Sequence, residues 1–141
     1  LVHVFTTVDA DTIGDSTWQI GYYSKETDKI VVFENTDDAI TMHPPAEALK
    51  KDEYIQKLHL EKLKVSKKEA TDICNATLME YYPRELFSKA ICLLQNLPEF
   101  GNVWNITIVT LALGVVNIKI DAITGTVTKH EKQNLMNWNA K

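Results

Sequence analysis

Apolar and polar residues alternate near both ends of the chain, which is typical of strands with one buried face. In the stretch WQIGYY, Trp18, Ile20 and Tyr22 fall on the same side. The turn-forming run SKETD follows and KIVVFE returns, so a β-hairpin is predicted. The pattern reappears after residue 102, with Gly125 in a turn that requires a positive φ. The predicted strands are residues 2–8, 18–23, 29–34, 103–111, 115–121 and 126–131.

A helical period replaces this alternation in the middle of the chain. Ser66 with Glu69 three residues later is the signature of a capping box. The apolar residues that follow, up to Tyr81, recur on one stripe of a helix. Pro83 interrupts the stripe, and residues 84–96 resume the helical spacing, which predicts a second helix or the far half of a kinked one.

The segment between the first hairpin and the helix has no clear period. Residues 35–45 end in two prolines and predict a loop. Pro45 can open a short helix across AEALKKDEY, because proline is tolerated in the first helical turn. The alternation Leu58-His59-Leu60 favours an extended stretch.

Strands, then helix, then strands along the chain predict the α+β class, with an antiparallel sheet packed against one or two helices. Residues 1–65 are expected to form an N-terminal region of β-hairpins. Residues 66–141 are expected to form a helix with a three-stranded antiparallel sheet. With 141 residues the chain has the length of about one domain, so the two regions can form a single compact unit.

The first and last predicted hairpins share residues at equivalent positions. Each follows a strand that opens with Trp-x-Ile, at Trp18 and at Trp104, although the distance from tryptophan to turn differs. The similarity is either an imperfect duplication, with a partial copy at the N-terminus, or convergence on the few residue types that hairpins use. The aligned pairs are Thr27 with Thr124, Asp28 with Gly125, Ile30 with Val127 and Glu34 with Glu131.

The composition of the chain limits the classes of protein to which it can belong. The chain is 45% hydrophobic and 24% charged, as in an ordinary soluble globule. A net charge of −4 gives no overall basic field, so no nucleic-acid partner is expected. The longest apolar run, residues 107–118, is about half of the roughly 20 residues that a membrane-spanning helix needs. Because the sequence begins at Leu1 rather than methionine, we expect a trimmed chain from which a signal peptide or membrane anchor can have been removed.

Residues with catalytic or metal-binding chemistry form no recognisable motif. The sequence has no Gly-rich phosphate loop, HExxH or nucleophile elbow, and its four histidines are scattered singly. The acidic run of residues 9–15 lacks two of the oxygen ligands of a calcium loop. Helical phase places Cys74 on the apolar stripe of its helix and Cys92 opposite the stripe of the second, which favours two free thiols over a disulfide. We therefore expect no enzyme, no bound metal and no cofactor.

Three motifs stand together in the second half of the chain. They are a capped helix with an early Glu-Ala, a strand that opens with tryptophan, and a strand that ends in Asp-x-x-Thr-Gly. The residues that carry them are Ser66, Glu69, Ala70, Trp104, Asp121, Thr124 and Gly125.

This pattern resembles the PepSY family and its cystatin-like relatives. The resemblance covers about half the chain, residues 66–131, while the first half matches only at its hairpin. It implies a non-catalytic module outside the cytoplasmic membrane, often tethered to it or part of a protease propeptide, that acts as an inhibitor or folding aid. It also implies structural roles for Trp104, between helix and sheet, and for Gly125, in a turn. The residues assigned structural roles are Ser66, Glu69, Trp18, Trp104 and Gly125.

The predicted function is therefore that of an extracytoplasmic module that binds a protein or peptide, with protease inhibition or sensing as forms of that binding. An open sheet edge can accept an extended segment of a partner. One alternative is a carrier or sensor of a small apolar ligand, which needs an enclosed helix–sheet cavity of roughly 300 Å³ or more. Another is a cytosolic structural protein. Membrane attachment is expected only through a segment outside this sequence, and the oligomeric state stays open. The candidate binding residues are Tyr22, Tyr23, Tyr81, Tyr82 and Phe87.

Overall fold

The computed structural model describes residues 1–9, 17–36, 38–47 and 55–134. Within these ranges 54% of the residues lie in strands and 15% in helices. One α-helix, α1, spans Lys67–Tyr81, and a short 3-10 helix spans Leu60–Lys62. The strands are β1 His3–Asp9, β2 Trp18–Ser24, β3 Lys29–Thr36, β4 Ala39–Met42, β5 Ala46–Glu47, β6 Phe87–Leu97, β7 Gly101–Thr110, β8 Gly114–Asp121 and β9 Val127–Asn134.

All of these strands belong to one antiparallel sheet. Its order is β4-β3-β2-β1-β6-β7-β8-β9, and β5 pairs with β3 beside β4. β1 and β6 are neighbours in the middle of the sheet, so the regions before and after residue 65 share a continuous ladder of hydrogen bonds. The six strands predicted from alternation are confirmed, with bounds that differ by a few residues.

The predicted α+β class is wrong, because the described part of the chain is mostly one antiparallel sheet with a single α-helix. The predicted cystatin-like layout, a sheet packed against one or two helices, is therefore also wrong. The main error lies at residues 84–96, where a second helix was predicted and the eleven-residue strand β6 is found. β6 is apolar on both faces, with Cys92 and Leu94 toward the helix and Ile91 and Leu93 away from it. A run that is apolar on both faces has no alternation, so helical spacing can be found in it by chance.

Two smaller predictions are also wrong. Residues 35–45 were predicted as a loop, but they contain β4. A short helix was predicted to begin after Pro45, where β5 is found instead, and the rest of that prediction, residues 48–54, lies outside the described residues. The extended stretch expected at Leu58-His59-Leu60 ends in the short 3-10 helix. The acidic run that resembles a calcium loop lies outside the described residues beyond residue 9.

The register of the sheet has an internal twofold relation. Phe5 and Leu93 pair at its centre, and the pairs on either side are Val4 with Leu94 and Thr6 with Cys92. A rotation by half a turn about an axis through the central pair, perpendicular to the sheet, exchanges these two flanking pairs. The same rotation exchanges β1 with β6, β2 with β7, β3 with β8, and β4 with β9. The sheet therefore consists of two antiparallel meanders, β1–β4 and β6–β9.

The rotation also relates the two tryptophans. Trp18 pairs with Thr6, and Trp104 pairs with Leu94, which is the twofold equivalent of Thr6. Trp18 and Trp104 therefore occupy equivalent positions. The turns are related in the same way, since Asp28 and Leu113 each precede the returning strand with positive φ, +54° and +59°. The alignment of Asp28 with Gly125 in the sequence therefore pairs residues from two turns that the rotation does not exchange, although both residues have a positive φ.

Helix α1 lies mainly over one face of the second meander, and its N-terminal part also reaches Trp18 and Val8 of the first. Its residues Cys74 and Leu78 line a small cavity together with side chains from β6 and β7, and Ile73 approaches Gly125 in the turn after β8. The core of the protein lies between this helix and the sheet. Its buried residues are Leu58, Ala70, Cys74, Cys92, Leu94, Trp104, Ile106, Ile108, Val116, Ile118, Ile120 and Ala122.

Candidate binding surface

The helix that covers the second meander is fixed at its N-terminus by local hydrogen bonds. The backbone N–H of Glu69 donates to Oγ of Ser66 at 3.2 Å, and the backbone N–H of Ser66 donates to Oε2 of Glu69 at 2.8 Å. These two bonds form the capping box that the sequence predicts and satisfy donors that a helix end otherwise leaves open. Ala70, Cys74 and Thr77 lie on the buried side of the helix.

Trp104 ties the start of this helix to the sheet. Its indole N–H donates to the backbone carbonyl of Val65 at 2.9 Å, and only 4% of the residue is exposed. Gly125 lies on the same side of the sheet with a φ of +78°, and a Cβ there would come within 3.4 Å of Cδ1 of Ile73. Trp104 thus lies between helix and sheet, Gly125 lies in a turn against α1, and the two residues mark the face that α1 covers.

The first meander presents its equivalent face without a helix. We call this surface, made of Ile20, Tyr22, Phe33, Asn35, Ile40 and Met42, the open face. An open groove of about 590 Å³ runs between the first five of these residues. Tyr22 is 47% exposed, Ile40 74% and Met42 61%. The rings of Tyr22 and Phe33 meet edge to face with centroids 5.9 Å apart. Exposed apolar side chains gathered on one face are typical of interaction sites.

Trp18 lies at the end of the open face nearest to α1. It is partly buried against the core, and the Nζ atom of Lys67, the first residue of α1, lies 5.1 Å from the centre of its ring. In the described part of the chain, its indole N–H has no hydrogen-bond partner, in contrast to that of Trp104.

The five aromatic residues predicted to form a binding surface lie in four places. Tyr22 belongs to the open face. Tyr23 points to the opposite face of the sheet, where its hydroxyl bonds to Asp28. Tyr81 and Tyr82 end the helix and both contact His130 on β9, whose Nδ1 is 2.9 Å from the hydroxyl of Tyr82. Phe87 starts β6 beside the helix–sheet cavity.

Sequence reasoning missed the part of the open face that β4 contributes. Ile40 and Met42 lie in a segment that was predicted as a loop. The alternation of AITM is too short to stand out beside the two prolines that follow it. Phe33 lies in a predicted strand, and nothing in the sequence around it marks it for binding.

The cavity between helix and sheet measures about 110 Å³. Cys74 and Cys92 both line it as free, buried thiols. The prediction that Cys92 lies away from the apolar side of its element is wrong, because Cys92 is on a strand and points at the helix. Burial, with a smaller contribution from Cys92, raises the pKa of Cys74 to about 12. Burial also raises the pKa of Cys92. Both residues are therefore protonated at neutral pH and behave as small apolar side chains.

Metal-ligating side chains are not clustered in the described residues, where no group of three His, Cys, Asp or Glu could hold an ion. His3 lies on β1 and His130 on β9, whereas His43 and His59 lie outside the helices and strands. No helix in the described ranges is long and apolar enough to span a membrane.

Comparison with known proteins adds a structural neighbour and no family. No model of a known protein family matches the chain. No curated protein matches it either. The fold is similar to the crystal structure of "a putative lipoprotein" from Clostridium difficile 630, with a TM-score of 0.56. The similarity covers 94% of this chain and 82% of that one at 17% sequence identity. At this identity the likeness concerns the fold alone.

Proposed function

We propose that this chain is a non-catalytic module that binds a protein or peptide through the open face. The observation that carries the proposal is an open groove lined by apolar residues whose twofold equivalents are buried. Ile106 and Ile118 in the second meander are 2% and 0% exposed. Their equivalents Ile20 and Phe33 instead line an open groove.

The composition of the open face supports a protein partner. Tyr22 and Phe33 supply aromatic area at its centre, and aromatic residues are enriched in the buried centres of interfaces. Asn35 supplies a polar group within the same groove. A mixed surface of this kind suits a folded or folding polypeptide better than a purely apolar ligand.

Two other modes of binding have less support. A carrier of small apolar molecules needs an enclosed cavity of roughly 300 Å³ or more, whereas the cavity between helix and sheet is about 110 Å³. A partner could also add a strand to the sheet by pairing with the edge strand β9. This strand carries Lys129 and Lys132, and lysines on edge strands disfavour such pairing.

We also propose that the module acts outside the cytoplasm, anchored to the membrane through a segment outside this sequence. One observation supports this location, which is the similarity of the fold to the structure described as a putative lipoprotein. Cell fractionation with antibodies against this module is the test. We expect the protein in the membrane fraction and sensitive to protease added to intact protoplasts, while recovery from the cytosol would contradict the proposal.

Selection from a displayed peptide library tests the binding function. The wild-type protein serves as bait, and the double variant Ile40→Asp, Met42→Asp serves for counter-selection, because a buried unpaired charge weakens an apolar contact. Thr41→Asp is the matched control, since Thr41 lies on the same strand but points to the other face. We expect enriched peptides that bind the wild type and the control equally and lose about tenfold or more in affinity for the double variant. No enrichment, or equal binding to all three proteins, would contradict the proposal.

A further inference from the structure

We infer that the partner element is an amphipathic α-helix that lies on the open face in the position related to α1 by the twofold rotation of the sheet. This inference rests on the proposed function and names the kind of partner that the face takes. The relation between the two meanders shows what shape of element covers such a face in this protein.

The two faces correspond position by position. On the second meander, five residues on β7 and β8 are between 0% and 4% exposed beneath the helix. Their equivalents on β2 and β3 follow from the paired registers of the strands. The equivalent pairs are Trp18 and Trp104, Ile20 and Ile106, Tyr22 and Ile108, Val31 and Val116, and Phe33 and Ile118.

The start of the docked helix is marked by Trp18. In the second meander, the indole N–H of Trp104 bonds to the carbonyl that precedes α1 by two residues. Trp18 presents the same donor from the equivalent position, and it has no hydrogen-bond partner in the described residues. A carbonyl just before the docked helix would satisfy this donor, as that of Val65 satisfies Trp104.

The end of the docked helix is marked by Met42. Helix α1 ends where Tyr81 and Tyr82 contact His130, and His130 pairs with Ile118. Met42 pairs with Phe33, which is the equivalent of Ile118. The docked helix therefore runs from Trp18 towards Met42.

The chemistry of the helix follows from α1 and from the charge beside the groove. The buried stripe of α1 carries small side chains at Ala70, Cys74 and Thr77, which let helix and sheet approach closely. Lys67 places its ammonium group over Trp18, at the end where the docked helix begins. The partner is thus a helix of about four turns with small residues along its inner stripe and acidic residues in its first turn, which also suit the positive end of the helix dipole.

A synthetic peptide tests the inference directly. The peptide has the sequence of residues 65–82 with Lys67→Glu and Lys68→Glu, and a scrambled peptide of the same composition is the control. We expect the designed peptide to bind the intact protein and to gain helical circular dichroism on binding. The double variant Ile40→Asp, Met42→Asp should bind it about tenfold or more weakly, and Thr41→Asp should leave its affinity within about twofold of the wild type.

Nuclear magnetic resonance tests the orientation. A nitroxide at the N-terminus of the bound peptide should broaden the indole N–H signal of Trp18 more than the methyl signal of Met42, and a nitroxide at the C-terminus should do the reverse. The opposite pattern would overturn the proposed direction. The Trp18→Phe variant identifies the indole signal and should bind the peptide several-fold more weakly, because the donor to the leading carbonyl is lost.

The outcomes separate this inference from the proposed function. If the designed peptide fails to bind while library-selected peptides bind without gaining helicity, the helix inference is overturned and the binding function stands. If neither kind of peptide binds, both fail. If the wild type dimerises in solution and the double variant does not, a second copy of the chain occupies the open face, and the partner inference is overturned.

Discussion

The two meanders of the sheet have the same strand order, and their registers match apart from a bulge between β8 and β9, yet only one of them is covered by a helix. On the second meander, α1 packs across β6, β7 and β8, and Ile118 is fully buried. On the first, the equivalent Phe33 lines an open groove, and Ile40 and Met42 are largely exposed. The comparison teaches that alternation of apolar residues specifies a face to be buried without specifying what buries it.

Some twofold-equivalent positions carry a more polar residue on the open face than on the covered face. Ile120 in the covered meander has Asn35 as its equivalent, and Ile108 has Tyr22. At these two positions the open face thus carries side chains with polar atoms, whereas the covered face carries isoleucine. A surface that meets water before it meets a partner is expected to have this mixed character.

Thiol reactivity gives the largest contrast between the two faces. In an Ile40→Cys variant, we expect the added thiol to be alkylated by iodoacetamide at an ordinary rate, since position 40 is 74% exposed. Cys74, whose pKa burial raises to about 12, should react about a thousandfold more slowly near neutral pH. Peptide mapping by mass spectrometry distinguishes the sites. Equal rates at residues 40 and 74 would show that α1 does not protect the covered face.

Truncation of the two tryptophans compares the faces through stability. Trp104→Ala should reduce the free energy of unfolding by about 3–5 kcal/mol, because the indole is buried and its hydrogen bond to Val65 is lost. Trp18→Ala should cost only about 1–2 kcal/mol, because Trp18 is partly buried. Urea denaturation measures both. Equal losses would mean that the two faces are equally covered.

Substitution of glycines tests whether α1 packs against the turn that contains Gly125. Gly125 and Gly101 both have positive φ, +78° and +72°. Valine at either position should cost about 1–2 kcal/mol from the strained backbone. Gly125→Val should cost more than Gly101→Val, because Ile73 lies 3.4 Å from the Cβ position at residue 125, whereas nothing lies within 4 Å at residue 101. Thermal denaturation of the two variants decides this, and a smaller loss at 125 would contradict the packing of α1 on that turn.

Loss of the helix cap should have a moderate effect. Ser66→Ala removes the acceptor for the backbone N–H of Glu69 and should cost about 1 kcal/mol of stability. Ser66→Gly is the control and should cost only a few tenths, because glycine leaves the orphan donors accessible to water. If both changes were silent, as measured by chemical denaturation, α1 would be held by packing on the covered face alone.

The two equivalent turns should respond slightly and differently to glycine. Leu113 has a φ of +59° and is 59% exposed, so Leu113→Gly should stabilise the protein by up to about 1 kcal/mol by removing strain. Asp28→Gly should bring no gain, because aspartate tolerates this conformation and Asp28 also accepts a bond from Tyr23. Melting temperatures compare the variants, and a destabilising Leu113→Gly would show that the leucine side chain contributes packing.

The sequence predicted those parts of the fold whose signals are local. The capping box at Ser66 and Glu69 depends on residues three apart, and the hairpin alternation of β2 and β3 depends on neighbours along the chain. The predictions failed at β6, because a central strand that is apolar on both faces shows no alternation, and at β4, because four residues carry too weak a pattern.

The candidate site was harder to predict than the fold. The aromatic residues chosen from the sequence scattered over the open face, the opposite face and the end of α1, since residue type does not tell which way a side chain points. The open face gathers side chains from β2, β3 and β4, and its borders depend on where the single helix lies.

Where the helix begins, where most strands run and which residues of a strand share a face could be predicted from the sequence, because these properties depend on the chemistry of neighbouring residues. The pairing of β1 with β6, and the covering of one apolar face while the other stays open, could be seen only in the folded chain. Strand pairing and helix docking join residues far apart along the chain, and one helix of fifteen residues can cover only part of a nine-stranded sheet.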